Sequence, residues 1–356
     1  MSTRELLRIE QLPVYQNKMF DTVESARACP RGDVVLAQDV ASGLVANAAF
    51  DATLLQYDDS YQNEQAHSGV FRAHLDEVMA VLARHFRAAQ ILEIGCGKGD
   101  FLARLRSEGY DARGVDPAYE GGSPHIVKAA FAPGLGLTGD AVVMRHVLEH
   151  IPDPYAFLDI TRRANGGAGV VYIEVPCLDW ILQRKAWFDV FYEHVNYFRI
   201  DDFHRLFARV IDAGHVFGGQ YIYVVADLAS LRDPASPALP KPPLLESPAD
   251  FFGSIERCLA LLGNGRQRVI WGAAAKGVTF AHHLGLRGEP LDFAIDINPA
   301  KQGRFLAVSA LPVLAPADAL ARLQPGANIV VMNSNYLDEI RRSAGPTFHY
   351  VALDQT

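Results

Sequence analysis

The feature that most constrains this chain is an apolar strand that runs into three closely spaced glycines and then a helix. Residues 90–94 (QILEI) read as a short buried strand. Gly95-Cys96-Gly97-Lys98-Gly99 is the turn, and DFLARLRSEG is a helix that closes on Gly109. The neighbouring sequence repeats the alternation. FRAHLDEVMAVLARHF is helical, DARGVD is a strand, DAVVMRHVLEHI begins as a strand and ends in a loop or helix, AFLDITRRAN is helical, and GVVYIEVP is an apolar strand. Strands alternating with helices imply an α/β fold on a parallel sheet with right-handed crossovers. Such sheets bind ligands beyond the carboxyl ends of their strands, near the point where the strand order reverses.

The chain has 356 residues and reads as four regions: a segment 1–75 without a long helical period, an α/β domain 76–230, a Pro-rich linker 231–248, and a second α/β domain 249–356. The linker carries Pro234, Pro237, Pro240, Pro242, Pro243 and Pro248, so it is neither a regular helix nor a central strand. A net charge of −8 argues against a general nucleic-acid binder, which needs surplus positive charge. No apolar stretch approaches the length of a membrane span, and the start, MSTRELLRIE, has no apolar signal core. Cys29, Cys96, Cys177 and Cys258 stand far apart, which fits a reducing cytoplasm rather than a disulfide framework.

The glycine spacing is G-x-G-x-G. A dinucleotide fingerprint wants its third glycine one position later, where Asp100 stands, so a nicotinamide or flavin cofactor is disfavoured. Asp116 follows the next strand roughly 20 residues on, where an acid accepts from both hydroxyls of a ribose. Glu93, just before the turn, adds a second acid. Two acids around a glycine turn suit a cationic, ribose-bearing ligand such as S-adenosylmethionine, which carries a sulfonium and an amino group.

At these residues, LEIGCGKGDFLARL with GVDP, the chain resembles the class I S-adenosylmethionine-dependent methyltransferases. The resemblance implies a Rossmann-like methyltransferase domain. It puts Gly95, Gly97 and Gly99 along the methionine end with Glu93 beside them, and Asp116 and Pro117 at the ribose. Ala130 falls by the adenine, and Arg145 and His146 border the same pocket.

Two further stretches put histidine beside an acid: 145–153 (RHVLEHIPD) and 188–198 (FDVFYEHVNYF). Histidine titrates near working pH, which suits a base that removes a proton from a methyl acceptor. The acids and histidines are adjacent rather than at i and i+4, and no H-E-x-x-H appears, so no metal is expected. Helical spacing in HVNYFRIDDFHRLF also allows a plain core role for Tyr197 and Phe198. The segment EVP…FDVFYEHVNYF resembles sugar C-methyltransferases, which methylate a nucleotide-linked 4-keto-6-deoxyhexose. The resemblance implies His194 as base at the carbon next to the ketone, Glu193 as its partner or a sugar contact, and His150 as a second acceptor-side histidine. Tyr192 and Tyr197 become substrate contacts.

In the last region RVIWGAAAKG reads as a strand running into a small-residue turn and helix, and LDFAIDINPAKQGRF puts Asp296 at the next strand end. The pattern predicts a second Rossmann-like domain. It resembles the C-terminal domain of the same family, which implies that Lys276 contacts the acceptor's diphosphate at a helix N-terminus. That family begins with a zinc-binding domain on paired cysteines. Here only Cys29 lies in the first 90 residues, and Asp39 and its neighbours stand where ligands would be, so a zinc-free substrate or lid domain is expected. Tyr61, a second candidate base, and Ser68 fall in the part that resembles the family's lid.

The sequence thus points to a cytoplasmic enzyme that uses S-adenosylmethionine to C-methylate a small nucleotide-linked keto-deoxysugar in deoxysugar biosynthesis, without nucleic acid or membrane. An O- or N-methyltransferase on another small molecule, and a nonenzymatic binder of the same nucleoside that presents its second domain to a protein, remain as alternatives.

Overall fold

The structure is a computed structural model that describes residues 2–55, 68–86, 89–262 and 266–356. Tyr61 lies outside the described residues. Three sheets organise the chain. The first is antiparallel: β1 (Thr3–Pro13), β2 (Arg31–Asp39) and β3 (Val45–Asn47), joined at its edge by β9 (Asn196–Tyr197) from far along the chain. Alternating burial in β1 and the apolar run VVLA in β2 give the sheet one inward face. The helical spacing of 194–207 is realised only over Ile200–Leu206. The residues before it pair with β3 instead.

The middle sheet holds β4 (Gln90–Ile94), β5 (Asp111–Val115), β6 (Ile126–Val127), β7 (Ala141–Arg145), β8 (Val170–Pro176), β10 (Val210–Val216) and β11 (Tyr221–Asp227). Its order is β10-β11-β8-β7-β4-β5-β6. The five strands from β4 to β8 pair in parallel, while β11 and β10 add as an antiparallel edge. Strand order reverses at β4, so the glycine turn stands at the switch point. The helices Gly69–His85, Asp100–Ser107 and Pro154–Ala164 cover the sheet. Burial of β4, β7 and β8 on both faces explains their unbroken apolar runs.

The third sheet comprises β12 (Arg268–Trp271), β13 (Phe293–Ile295), β14 (Val313–Leu314), β15 (Asn328–Val331) and β16 (His349–Ala352). It is parallel throughout, in the order β14-β13-β12-β15-β16. It is a second Rossmann-like unit, and one apolar cluster runs from the first sheet through the middle domain into this one.

The proline-rich segment is an ordered strap. The Arg205 guanidinium donates to the carbonyls of Ala41, Ser42, Pro234 and Pro240, at 2.7–3.1 Å. Gln38 donates to the Pro243 carbonyl and accepts from the Leu245 N–H. Prolines leave carbonyls without a matching donor, and one five-donor side chain satisfies several of them. Arg205→Ala should therefore destabilise the chain by about 2 kcal/mol, read as a fall in Tm of roughly 4 °C, with methyl transfer retained below the transition.

Candidate active site

The glycine turn is built by backbone geometry. Gly95, Gly97 and Gly99 all have positive φ. A Cβ at Gly95 would stand 2.3 Å from Val147 Cγ2, whereas one at Gly97 would meet nothing within 4 Å. The first glycine thus packs the turn against the loop after β7, and the second opens it outward. Asp116, after β5, accepts from Gly97 N–H and Ala118 N–H, both at 2.8 Å. A carboxylate has about four acceptor sites, so Asp116 both shapes the turn and keeps capacity for a ribose. Glu93 is buried at the end of β4, its carboxyl pushed up to about 7 by burial. Its Oε2 is buried without a hydrogen-bond partner among the described residues. Pro117 and Ala130 are exposed in the loops that follow β5 and β6.

The third sheet repeats this construction. Gly272 N–H donates to Ile295 O as Gly95 N–H does to Val115 O, each at 2.8 Å. Asp296 accepts from Ala273 N–H and Asn298 N–H at 2.8 Å. Both domains therefore end their second strand on an acid that ties down the first turn.

Behind the turn lies a buried ionic cluster. Glu174, in β8 and fully buried, accepts from Tyr172 Oη at 2.7 Å and Arg145 at 3.2 Å. It also meets His74 Nε2 at 3.0 Å and His146 Nε2 at 3.1 Å. Burial alone would raise its carboxyl, but Arg145, His146 and His74 outweigh this and hold it well below the usual range. His146 has φ +52°, an uncommon conformation for a non-glycine residue. It bridges Glu174 and Glu149, the latter at 3.2 Å. Burial would push its imidazole down, yet the two carboxylates raise it to about 9, so it is an imidazolium at neutral pH. Arg145 lies over the Phe101 ring and pairs with Glu174, and its charge also acts on Glu93 beside the glycine turn.

A cavity of about 380 Å³ opens beside this cluster, between the middle and third sheets. That is within the range of small-molecule sites. His146, Glu149, His150 and His194 form one wall; Gly272, Lys276, Asp296, Asn298, Lys301 and Tyr336 lie on the other side. His150 Nδ1 meets the Glu193 carbonyl at 2.8 Å, which fixes the ring. The His194 ring stands 5.0 Å from His150 and 4.9 Å from Phe191. Burial, then the His150 and His146 charges, holds it well below its ordinary value, so it is neutral. Its Nδ1 has no hydrogen-bond partner among the described residues. The turn 145–150 therefore joins two sites: Val147 touches the glycine loop, while His146, Glu149 and His150 face the cavity.

Several sequence-based assignments need correction. The Glu193 carboxylate accepts from Gln16 N–H at 2.8 Å, toward the N-terminal segment, and it is Glu149 that groups with His150 and His194. Tyr192 is fully buried with its hydroxyl on the Asp51 backbone, and it ties the middle domain to the first sheet. Tyr197 is buried with its hydroxyl on the Phe191 backbone. Both are packed in the core with their hydroxyls taken up by backbone. Lys276 lines the cavity, but its ammonium is 2.9 Å from Asp189 and from Gln220 Oε1, so its charge is already offset. Asp39 caps a turn, accepting from Ala41 and Ser42. Ser68 caps the helix Gly69–His85 on the cavity wall and donates to Glu339.

Comparison with known proteins decides the class. Residues 66–210 match a methyltransferase domain, and residues 255–348 match the C-methyltransferase C-terminal domain. The chain is a methyltransferase whose C-terminal part matches the C-methyltransferase C-terminal domain. This methyltransferase is 25% identical to C-methyltransferase NovU of Streptomyces niveus, over 70% of this chain and 67% of that one. Among solved structures it is similar to a complex of the Haloferax volcanii Trm112 activator with its putative methyltransferase (12% identity, 46% and 93% of the chains, TM-score 0.37). It is also similar to magnesium protoporphyrin IX methyltransferase from Synechocystis with bound SAH (15% identity, 44% and 82%, TM-score 0.35). Among the described residues, no helix of the methyltransferase is long and apolar enough to cross a membrane.

Sequence reasoning missed Glu149, Glu174 and His74. An acid inside an otherwise apolar strand, GVVYIEVP, was the available signal, because a carboxylate buried there needs partners. Glu174→Gln should leave Arg145 without its ion-pair partner and His146 with Glu149 alone, and cost about 3–5 kcal/mol in urea unfolding. The raised His146 pKa contributes stability that is complete below its unfolded value near 6.5 and lost as pH rises through about 9. The unfolding midpoint should fall across that window in wild type and stay flatter in His146→Asn.

Proposed function

We propose that this methyltransferase uses S-adenosylmethionine to methylate the carbon next to the ketone of a nucleotide-linked keto-deoxysugar. The observation that carries the reading is the turn 145–150, which touches the glycine loop on one side and lines the cavity on the other. The residues present suit the methyl donor. Asp116 keeps acceptor capacity for a ribose, Gly97 opens the turn, and Glu93 Oε2, without a hydrogen-bond partner among the described residues, stands by the loop for a cationic group. S-adenosylmethionine supplies a methyl group on a sulfonium, which is displaced by a carbon nucleophile. A carbon beside a ketone becomes that nucleophile when it loses a proton, because the negative charge moves onto the carbonyl oxygen.

His194 is the base. It is neutral, it lies on the cavity wall, and its Nδ1 has no hydrogen-bond partner among the described residues. His150, held by the Glu193 carbonyl, supports the acceptor beside it. The second glycine turn and Asp296 suit the nucleoside of the acceptor, since they repeat the construction around Asp116. Its phosphates fall at the N-terminus of the helix Ala275–Leu286, next to Lys276.

In deuterated buffer without donor, wild type should exchange the proton next to the ketone of a suitable nucleotide sugar. His194→Ala should slow both exchange and methyl transfer by on the order of 10²–10⁴-fold. Methyl transfer without proton exchange, or full exchange in His194→Ala, would contradict the reading and favour an oxygen or nitrogen acceptor.

A further inference from the structure

We propose that Glu149 is the positioning residue of the proton-transfer step, its carboxylate offsetting the positive charge that His194 takes on when it accepts the acceptor's proton. This rests on His194 as base. The sequence pairs His194 with its neighbour Glu193, but the fold supplies a different carboxylate.

Glu149 sits in the short turn Leu148–His150 and is 1% exposed. One oxygen accepts from His146 Nδ1; the other is buried with no hydrogen-bond partner among the described residues. Ligand-capable atoms of Glu149, His150 and His194 all lie within 4.8 Å of one another. The remaining acids nearby are committed: Glu193 to Gln16, and Glu174 to Tyr172, Arg145, His74 and His146. His146 is already an imidazolium, held between Glu149 and Glu174. A second imidazolium at His194 would meet that charge at close range in a half-buried wall. Glu149 stands with both histidines and offsets the new charge as it forms. The step balances: the C–H bond of the acceptor breaks, the proton passes to a ring nitrogen of His194, and the electron pair stays on the acceptor until it bonds to the methyl carbon.

The test uses the full chain as wild type, Glu149→Gln and Glu149→Asp. Glutamine keeps the shape and an oxygen for His146 but loses the charge; aspartate keeps the charge. The expected result is a fall of about 100-fold in kcat for proton exchange in Glu149→Gln. KM should stay within about threefold, the calorimetric affinity for S-adenosylhomocysteine should be unchanged, and Glu149→Asp should recover at least about tenfold. Exchange within threefold of wild type in Glu149→Gln, or no recovery in Glu149→Asp, overturns the proposal. A chelator-sensitive activity restored by one divalent ion per chain also overturns it, because the three side chains would then be ligands.

Ring-nitrogen NMR of the ligand-free protein reads the same interaction without an acceptor. The His194 signal should titrate at lower pH in Glu149→Gln than in wild type or Glu149→Asp, and an unmoved midpoint overturns the proposal. The groups facing His194 and Glu149 from the packed elements are His146, His150, Tyr197 and Tyr221, and all are kept in each variant. A wild type that exchanges no proton with any keto sugar sinks the acceptor reading, while the ring titration still decides the role of Glu149.

Discussion

A single buried carboxylate organises the catalytic side of this protein. Glu174 lies in a strand covered on both faces, where an unpaired charge would be costly. The fold surrounds it with Arg145, His146, His74 and Tyr172. Those partners come from two strands, the loop after one of them, and the long helix Gly69–His85, so the ionic cluster locks these elements together. It also holds His146 at positive φ, and the strained residue starts the turn that carries Glu149 and His150. Remove the carboxylate and the turn loses the reason for its shape. The buried cluster is costly to dehydrate, and its return is placement, with charge fixed where a reaction needs it.

The same architecture is used twice for different ends. In each Rossmann-like unit a glycine turn follows the first strand, and an acid after the second strand accepts two backbone N–H groups. The two units face a common cavity, but among the described residues only the first brings histidines to it. Division of labour follows from that asymmetry. The middle domain carries the charged and basic groups, and the third sheet contributes a wall of small residues, amides and offset lysines. Lys276 and Lys301 each sit against an aspartate, so the wall is polar without being strongly positive.

Much of the fold could be read from periodicity. The glycine turn and the alternating strands and helices left local signals that correspond to observed elements, and the prolines marked a segment that forms neither helix nor strand. The first sheet was less legible, because its fourth strand, Asn196–Tyr197, is two residues long and lies inside a pattern that spaces like a helix. At the site, residue types were legible but pairings were not. Glu193 and His194 are adjacent in sequence, yet the Glu193 carboxylate reaches Gln16, 177 positions away. Tyr192 and Tyr197 look like pocket aromatics, but each hydroxyl is satisfied by backbone, which only three dimensions reveal. Glu149 was inside a segment already singled out, and its importance depends on a histidine brought to it by the fold.

The account stands on the turn 145–150 as the meeting place of methyl donor and acceptor. The most direct measurement is a crystal structure with S-adenosylhomocysteine. The account predicts ribose hydroxyls on Asp116, the amino group near Glu93, and the sulfur directed past Val147 toward the cavity wall of His150 and His194. Density for the nucleoside at Asp296 instead, or a sulfur facing away from that wall, would contradict it.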